Sequence, residues 1–314
     1  MDNSLLGFIQ ATVDLRDSYY YFKDKYALDL LTYSIEEKQV SINQLKKSRW
    51  GFLFQKKVLQ KITAQLPDQK LDKRRLTSYW PWYSGEYRLS LGKWGEYSKH
   101  RNDDWYQTSR PGVNLVLQLN FGEEHNLKYY KLIFPSMFHP FVNLCHPIAE
   151  KGLTLAWARM DIDFDTGEVL IEEIQTDWLR SVKKLVATLA RGESYWKQYY
   201  PSLEPTHLRH YYQEEVYKHE KVWDEAMLAA ALWFVKRELG LAKVYYHTFD
   251  TGNIMKQLTY SQPPRSLYTK LPRRFGFRET EEAPQFLRKE HYLKRTFKKH
   301  PNLKWFVLNL ESHA

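Results

Sequence analysis

The chain has 314 residues, 43% hydrophobic and 27% charged, which supplies enough apolar material for one large domain or two ordinary ones and excludes a disordered chain. Its single cysteine, Cys145, excludes an internal disulfide and a cysteine-based metal cluster, and is expected in the core, where free thiols usually sit. No run reaches about eighteen apolar residues and the first residues lack a basic start, so neither a membrane span nor a signal peptide is predicted, and a cytoplasmic location is expected.

Residues 1–66 read as helical, with Ser41 as an N-cap ahead of Ile42 and Leu45, and with Gly51 as an interruption. From 66 to 100 the composition turns irregular and aromatic, with Trp80, Trp82, Tyr83, Tyr87, Trp94 and Tyr97 set among Pro, Gly and Lys. Such interleaving fits either stacking on bases or a second layer packed on a core. NLVLQLNF (114–121) and KYYKLIF (128–134) read as strands joined by a turn at 122–126.

TLAWARMDIDF and EVLIEEIQTDW form the clearest strand pair, turning at Asp165, Thr166 and Gly167. Alternation puts Val169, Ile171, Glu173 and Gln175 on one face and Leu170, Glu172 and Ile174 on the other. A basic helix and a tyrosine-rich connection follow. Residues 223–239 are then apolar nearly all round, as in a buried helix, and Gly240 caps them. LAKVYYHT (241–248) reads as a strand, TGNIMKQL and PPRSLYTKLPRRFGF as short helices, and LKWFVLNL as a closing strand.

The net charge of +10 is unevenly spread. Residues 38–75 hold eleven Lys/Arg against Asp68 and Asp72, and 265–300 hold eleven against four glutamates, whereas 161–177 hold seven carboxylates and no Lys or Arg. The basic stretches suit nucleic acid or another anionic partner, or are plain solvated faces. No membrane partner is expected.

The order hairpin, buried helix, strand, short helix and SLYTKLPRRFGF resembles the second half of a GNAT N-acetyltransferase domain, with Tyr268, Leu271, Gly276 and Phe277 at its matching positions. EEIQTDW (172–178) is similar to the EEIQSDW-type phrase of GNAT-like domains in large polyvalent proteins of phages and mobile elements. The resemblance implies an α+β fold: a GNAT-like mixed sheet flanked by helices over 111–314, behind a helical, aromatic-rich region over 1–110. It implies an acyltransferase using acetyl-CoA or another acyl-CoA on a small-molecule or peptide amine. Glu173 is then the base, Tyr268 the acid and His247 a second base, with Gln175 and Asp177 as further candidate site residues, while Glu172, Glu173 and Gln175 together on an otherwise apolar strand suggest a polar cleft.

In that family the carrier's pyrophosphate sits at the start of the buried helix, where backbone N–H groups and the helix dipole meet negative charge. Lys221 and Ala226 match the outer positions of that loop, but Asp224 replaces a glycine and, with Glu225, opposes a phosphate. A second reading takes Asp163 with Glu173 and Gln175 as a variant PD-(D/E)xK nuclease site holding Mg²⁺. A third takes Thr176 or Asp177 as a helix cap and Trp178 as packing beneath it.

Overall fold

The alternating segments build one eight-stranded mixed sheet: β1 (Ser18–Tyr21), β2 (Gly85–Trp94), β3 (Asn114–Phe121), β4 (Thr154–Asp163), β5 (Glu168–Gln175), β6 (Lys243–His247), β7 (Arg278–Thr280) and β8 (Trp305–Asn309). The computed structural model describes residues 1–311 except 16, 37, 96–106, 136–138, 151 and 259–261; Tyr97 lies outside the described residues. Strand order is β1-β2-β3-β4-β5-β6-β8-β7, antiparallel at each step except the parallel pair β5 and β6. Helices flank this sheet, so the chain is α+β as its pattern implies. Those that matter below are α1 (Asn3–Thr12), α2 (Lys25–Ser34), α3 (Lys57–Ala64), α4 (Glu123–Ile133), α5 (Asp177–Ala190), α6 (Trp223–Arg237), α7 (Phe249–Met255) and α8 (Lys270–Arg274). Among the described residues no helix is long and apolar enough to cross a membrane.

The parallel step requires a crossover, because two strands running the same way cannot be joined by a tight turn. The chain supplies it through α5 and α6. Helix α6 carries Asp224 and Glu225 in its first turn and Lys236 and Arg237 in its last, each favourable to the helix dipole. Gly240, at φ 66°, lets the chain leave it, with Leu241 N–H donating back to Val235 O at 3.0 Å. Because α6 packs on β4 and β5 and beside α2, its alanines are buried together with Leu155, Ala158, Val169, Ile171 and Val244. A smaller cluster around Leu170, Tyr245, Phe286 and Trp305 covers the other face near β6 and β8.

Three expectations are corrected. KYYKLIF belongs to α4: Glu123 and Glu124 favour a helix start, and buried His125, Tyr129 and Ile133 recur every four residues, a helical period that the short run disguised. Cys145 is exposed, since Asn143 and His146 close a surface turn around it, with Cys145 N–H donating to Asn143 Oδ1 at 3.1 Å. Strict alternation along β5 fails after Ile171, for a reason that shapes the site.

The first 110 residues contain α1, α2 and α3 but also β1 and β2 of the common sheet. The compositional boundary at 110 falls between β2 and β3, which pair from Tyr87↔Phe121 to Trp94↔Asn114. Ser41 caps its short helix through a capping box with Gln44. That helix ends at Lys47, and Gly51 opens the 3-10 turn Gly51–Gln55, where a Cβ would lie 2.1 Å from the Lys46 carbonyl oxygen.

Candidate active site

The β4–β5 ladder pairs Arg159 with Glu173 and then Met160 with Ile171, so Glu172 has no residue opposite it. This bulge resets the alternation. Ile174 packs in the same core as Val169 and Ile171, which corrects the face assignment read from the sequence. Glu172 and Glu173 both enter a polar cluster with Arg159, Lys256 and His247.

Glu172 is fully buried and heavily bonded. Ser109 donates to it from its backbone N at 3.0 Å and from Oγ at 2.7 Å, and His247 Nε2 lies 3.0 Å from Oε2. Ser109 Oγ also lies 2.8 Å from His247 Nε2. With the hydroxyl proton given to Glu172, Nε2 faces two acceptors and carries the ring proton, leaving Nδ1 as a lone pair. Nδ1 has no hydrogen-bond partner among the described residues. Serine and acid thus meet the same ring nitrogen, whereas a nucleophile relay needs them on opposite nitrogens, so this is not a hydrolase triad.

Glu173 pairs with the guanidinium of Arg159, which lies over the Trp94 ring at 5.0 Å and donates to Gln107 O at 3.3 Å. The Lys256 ammonium donates to Glu172 O at 3.0 Å, lies 3.8 Å from Glu173 Oε2 and sits 5.5 Å from the Tyr268 ring centroid. Lys256 therefore links Glu173 to Tyr268. The Tyr268 hydroxyl has no hydrogen-bond partner among the described residues. Glu173, at 9% exposure, is the most accessible of this group; Arg159, Glu172 and His247 are at 0%, Tyr268 at 1% and Lys256 at 4%.

Burial dominates the electrostatics, and local charge decides which groups resist it. Burial alone would raise the Glu172 carboxyl, but the His247 hydrogen bond and the charges of Lys256 and Arg159 hold it at about 2. Burial also opposes ionisation of Glu173, yet Lys256 and Arg159 keep it below the usual carboxylate range. Burial lowers His247 and Lys256, against the pull of Glu172 and Glu173 respectively. Tyr268 is raised well above 10 by burial and by the charge of Glu173, so it keeps its proton.

Glu173, Tyr268 and His247 are thus brought into one cluster. Gln175 and Asp177 form a neighbouring one: Gln175 Nε2 donates to Asp177 Oδ1 at 2.8 Å, and Asp177 Oδ2 takes His146 Nδ1 at 2.8 Å and Trp157 Nε1 at 3.1 Å. Burial works against the Asp177 charge, but these bonds hold its carboxyl at about 2. Thr176 is the N-cap of α5, its Oγ1 accepting from Leu179 N–H at 3.3 Å, and Trp178 is buried beneath.

Asp163 does not join Glu173. It pairs across the hairpin with Glu168, four residues along β4 from Arg159 and so about 13 Å away at strand rise, with Thr166 and Arg110 on its carboxylate. Among the described residues no group of three His, Cys, Asp or Glu is placed to hold a metal ion.

The start of α6 is filled by the protein itself. The buried Glu225 carboxylate accepts from Lys23 Nζ at 2.6 Å, Asp24 N–H at 2.9 Å and Arg274 at 3.3 Å. Ala226 N–H is spent on Val222 O at 2.8 Å, and the Lys221 ammonium lies over the Tyr217 ring at 4.0 Å. An acyl-CoA pyrophosphate does not fit here, because its place opposite the helix N-terminus holds a carboxylate.

No family model, curated protein or solved structure matches the chain. The site therefore rests on its own geometry. Sequence reasoning missed Ser109, Arg159, His146 and Lys256. Only Arg159 left a signal, as a cation on an apolar strand opposite acidic β5. Tyr268 also lines a cavity of about 650 Å³ with Thr248, Thr251, Arg265, Arg273 and Lys304, so one tyrosine borders both the buried cluster and an open polar space.

Proposed function

We propose that the chain is a group-transfer enzyme on a GNAT-like scaffold, moving an acyl group to an amine without gripping its donor through a pyrophosphate. The observation that carries this reading is the Lys256 ammonium set between Glu173 and the Tyr268 ring, which puts an ionised carboxylate and a protonated phenol in one cluster. The succession β4–β5 hairpin, α6, β6, α7, α8 and β8 supports the scaffold, since it follows the order on which the resemblance rests.

In this mechanism the amine lone pair attacks the acyl carbon and the bond to the leaving group breaks. Glu173 takes the proton lost by the amine, and Tyr268 gives its proton to the leaving group. Exchange with solvent then restores both residues. Arg159 and Lys256 position Glu173 and keep it ionised. His247 and Ser109 hold Glu172, which stays out of the proton transfer.

The test is acetyl transfer to spermidine and to a lysine peptide from two donors, acetyl-CoA and S-acetylpantetheine. The expected result is transfer from both donors at rates within about tenfold, because no phosphate grip separates them. A strict need for the nucleotide contradicts the donor part of the reading, and no transfer from either donor overturns the whole.

A further inference from the structure

A second cavity, of about 830 Å³, opens beside β1, β2 and α3, and its size is that of a small-molecule site. Its walls include Phe22, Tyr79, Tyr83 and Tyr217, which offer flat apolar surface. Five lysines line it against one carboxylate, Asp24, and Asp24 already faces Lys56 at 3.8 Å. Two of the lysines are neutralised inside the protein, Lys23 by Glu225 at 2.6 Å and Lys218 by Glu215 at 2.9 Å. Lys57 and Lys61 have no carboxylate partner among the described residues, whereas the Lys221 ammonium is taken up by the face of the Tyr217 ring at 4.0 Å. Lys57 and Lys61 stand one turn apart on α3, so they present their charge side by side.

The cavity is separate from the Glu173 cluster. Tyr21 and Tyr87, which line it, belong to the main core at the β1–β2 edge, and β3 and β4 intervene before β5. Internal tyrosines give the cavity a body, and uncompensated lysines give it a sign. A neutral apolar ligand leaves the Lys57 and Lys61 ammonium groups unanswered, and a bare inorganic anion leaves the aromatic walls unused. We propose that this cavity binds a small organic anion with an aromatic ring, the ring lying among the aromatic walls and its phosphate or carboxylate against Lys57 and Lys61.

The test is calorimetric titration of the full chain with 1-naphthyl phosphate, 1-naphthoate and the neutral 1-naphthalenemethanol. Both anions are expected to bind, with the phosphate tighter and the alcohol at least about tenfold weaker than either. Preference for phosphate over carboxylate identifies which anionic group the lysines suit. The Lys57→Glu/Lys61→Glu variant is expected to weaken both anions by at least about tenfold and to leave the alcohol unchanged. A control, Lys298→Glu/Lys299→Glu, changes as many charges in the other basic stretch and should leave binding intact. Equal binding of all three probes, no loss in the first variant, or the same loss in the control overturns the proposal. So does a single-stranded oligonucleotide that binds where naphthyl phosphate does not, which makes the face a strand-binding surface.

Discussion

Arg159→Met is expected to lower the unfolding free energy by about 3–5 kcal/mol, because it strips a buried carboxylate of its closest cation. Arg159 is fully buried, paired with Glu173 and laid over Trp94, so the methionine keeps part of the packing and none of the charge. Lys256, 3.8 Å from Glu173, is left as the nearest cation and is itself pushed toward the neutral form by burial. The Arg159→Met/Glu173→Leu pair should recover most of the loss, since an apolar pair of similar volume often equals a buried ion pair. Urea unfolding of the unaltered chain, Arg159→Met, Glu173→Leu and the pair gives the cycle. A loss below about 1 kcal/mol for Arg159→Met, the value of an exposed pair, contradicts the buried geometry.

The second large effect lies at the other end of the EEIQTDW phrase. Trp178 is 1% exposed and meets Phe121, Tyr129 and Phe141 with ring centroids at 5.3, 4.9 and 5.4 Å. Its Nε1–H donates to the Tyr211 hydroxyl at 3.0 Å, which His125 Nε2 also meets at 2.9 Å. Trp178→Ala opens a cavity in this aromatic layer and is expected to cost about 3–5 kcal/mol. Trp178→Phe keeps much of the ring contact and loses the hydrogen bond, for about 1 kcal/mol beyond its smaller area. Equal losses for the two variants contradict this division between packing and bonding.

What the sequence made legible follows from the range of the forces involved. The β4–β5 hairpin, α6 and the closing strand β8 are local patterns of apolar periodicity ended by Gly167 and Gly240, and each appears where those patterns lie. The seven residues of 128–134 fit alternation as well as a helical period, and only burial of His125 and Tyr129 decides for the helix. Glu173, Tyr268 and His247 were singled out by residue type, and long-range packing brings them together. The bulge at Glu172 was not legible, since two strands of ordinary alternation give no sign that one will carry an extra residue. Lys256 and Ser109 were hidden for a similar reason: each is an unremarkable polar residue in a short helix or loop until the fold delivers it to Glu172.

The most direct measurement is the transfer rate of Glu173→Gln beside that of the unaltered chain, with the unfolding midpoint of each recorded. Glutamine keeps the shape and the ability to accept from Arg159 but cannot take a proton from an amine. A fall of about 10²–10⁴ in kcat with folding retained is expected. A Glu173→Gln protein that folds and transfers at the original rate contradicts Glu173 as the base.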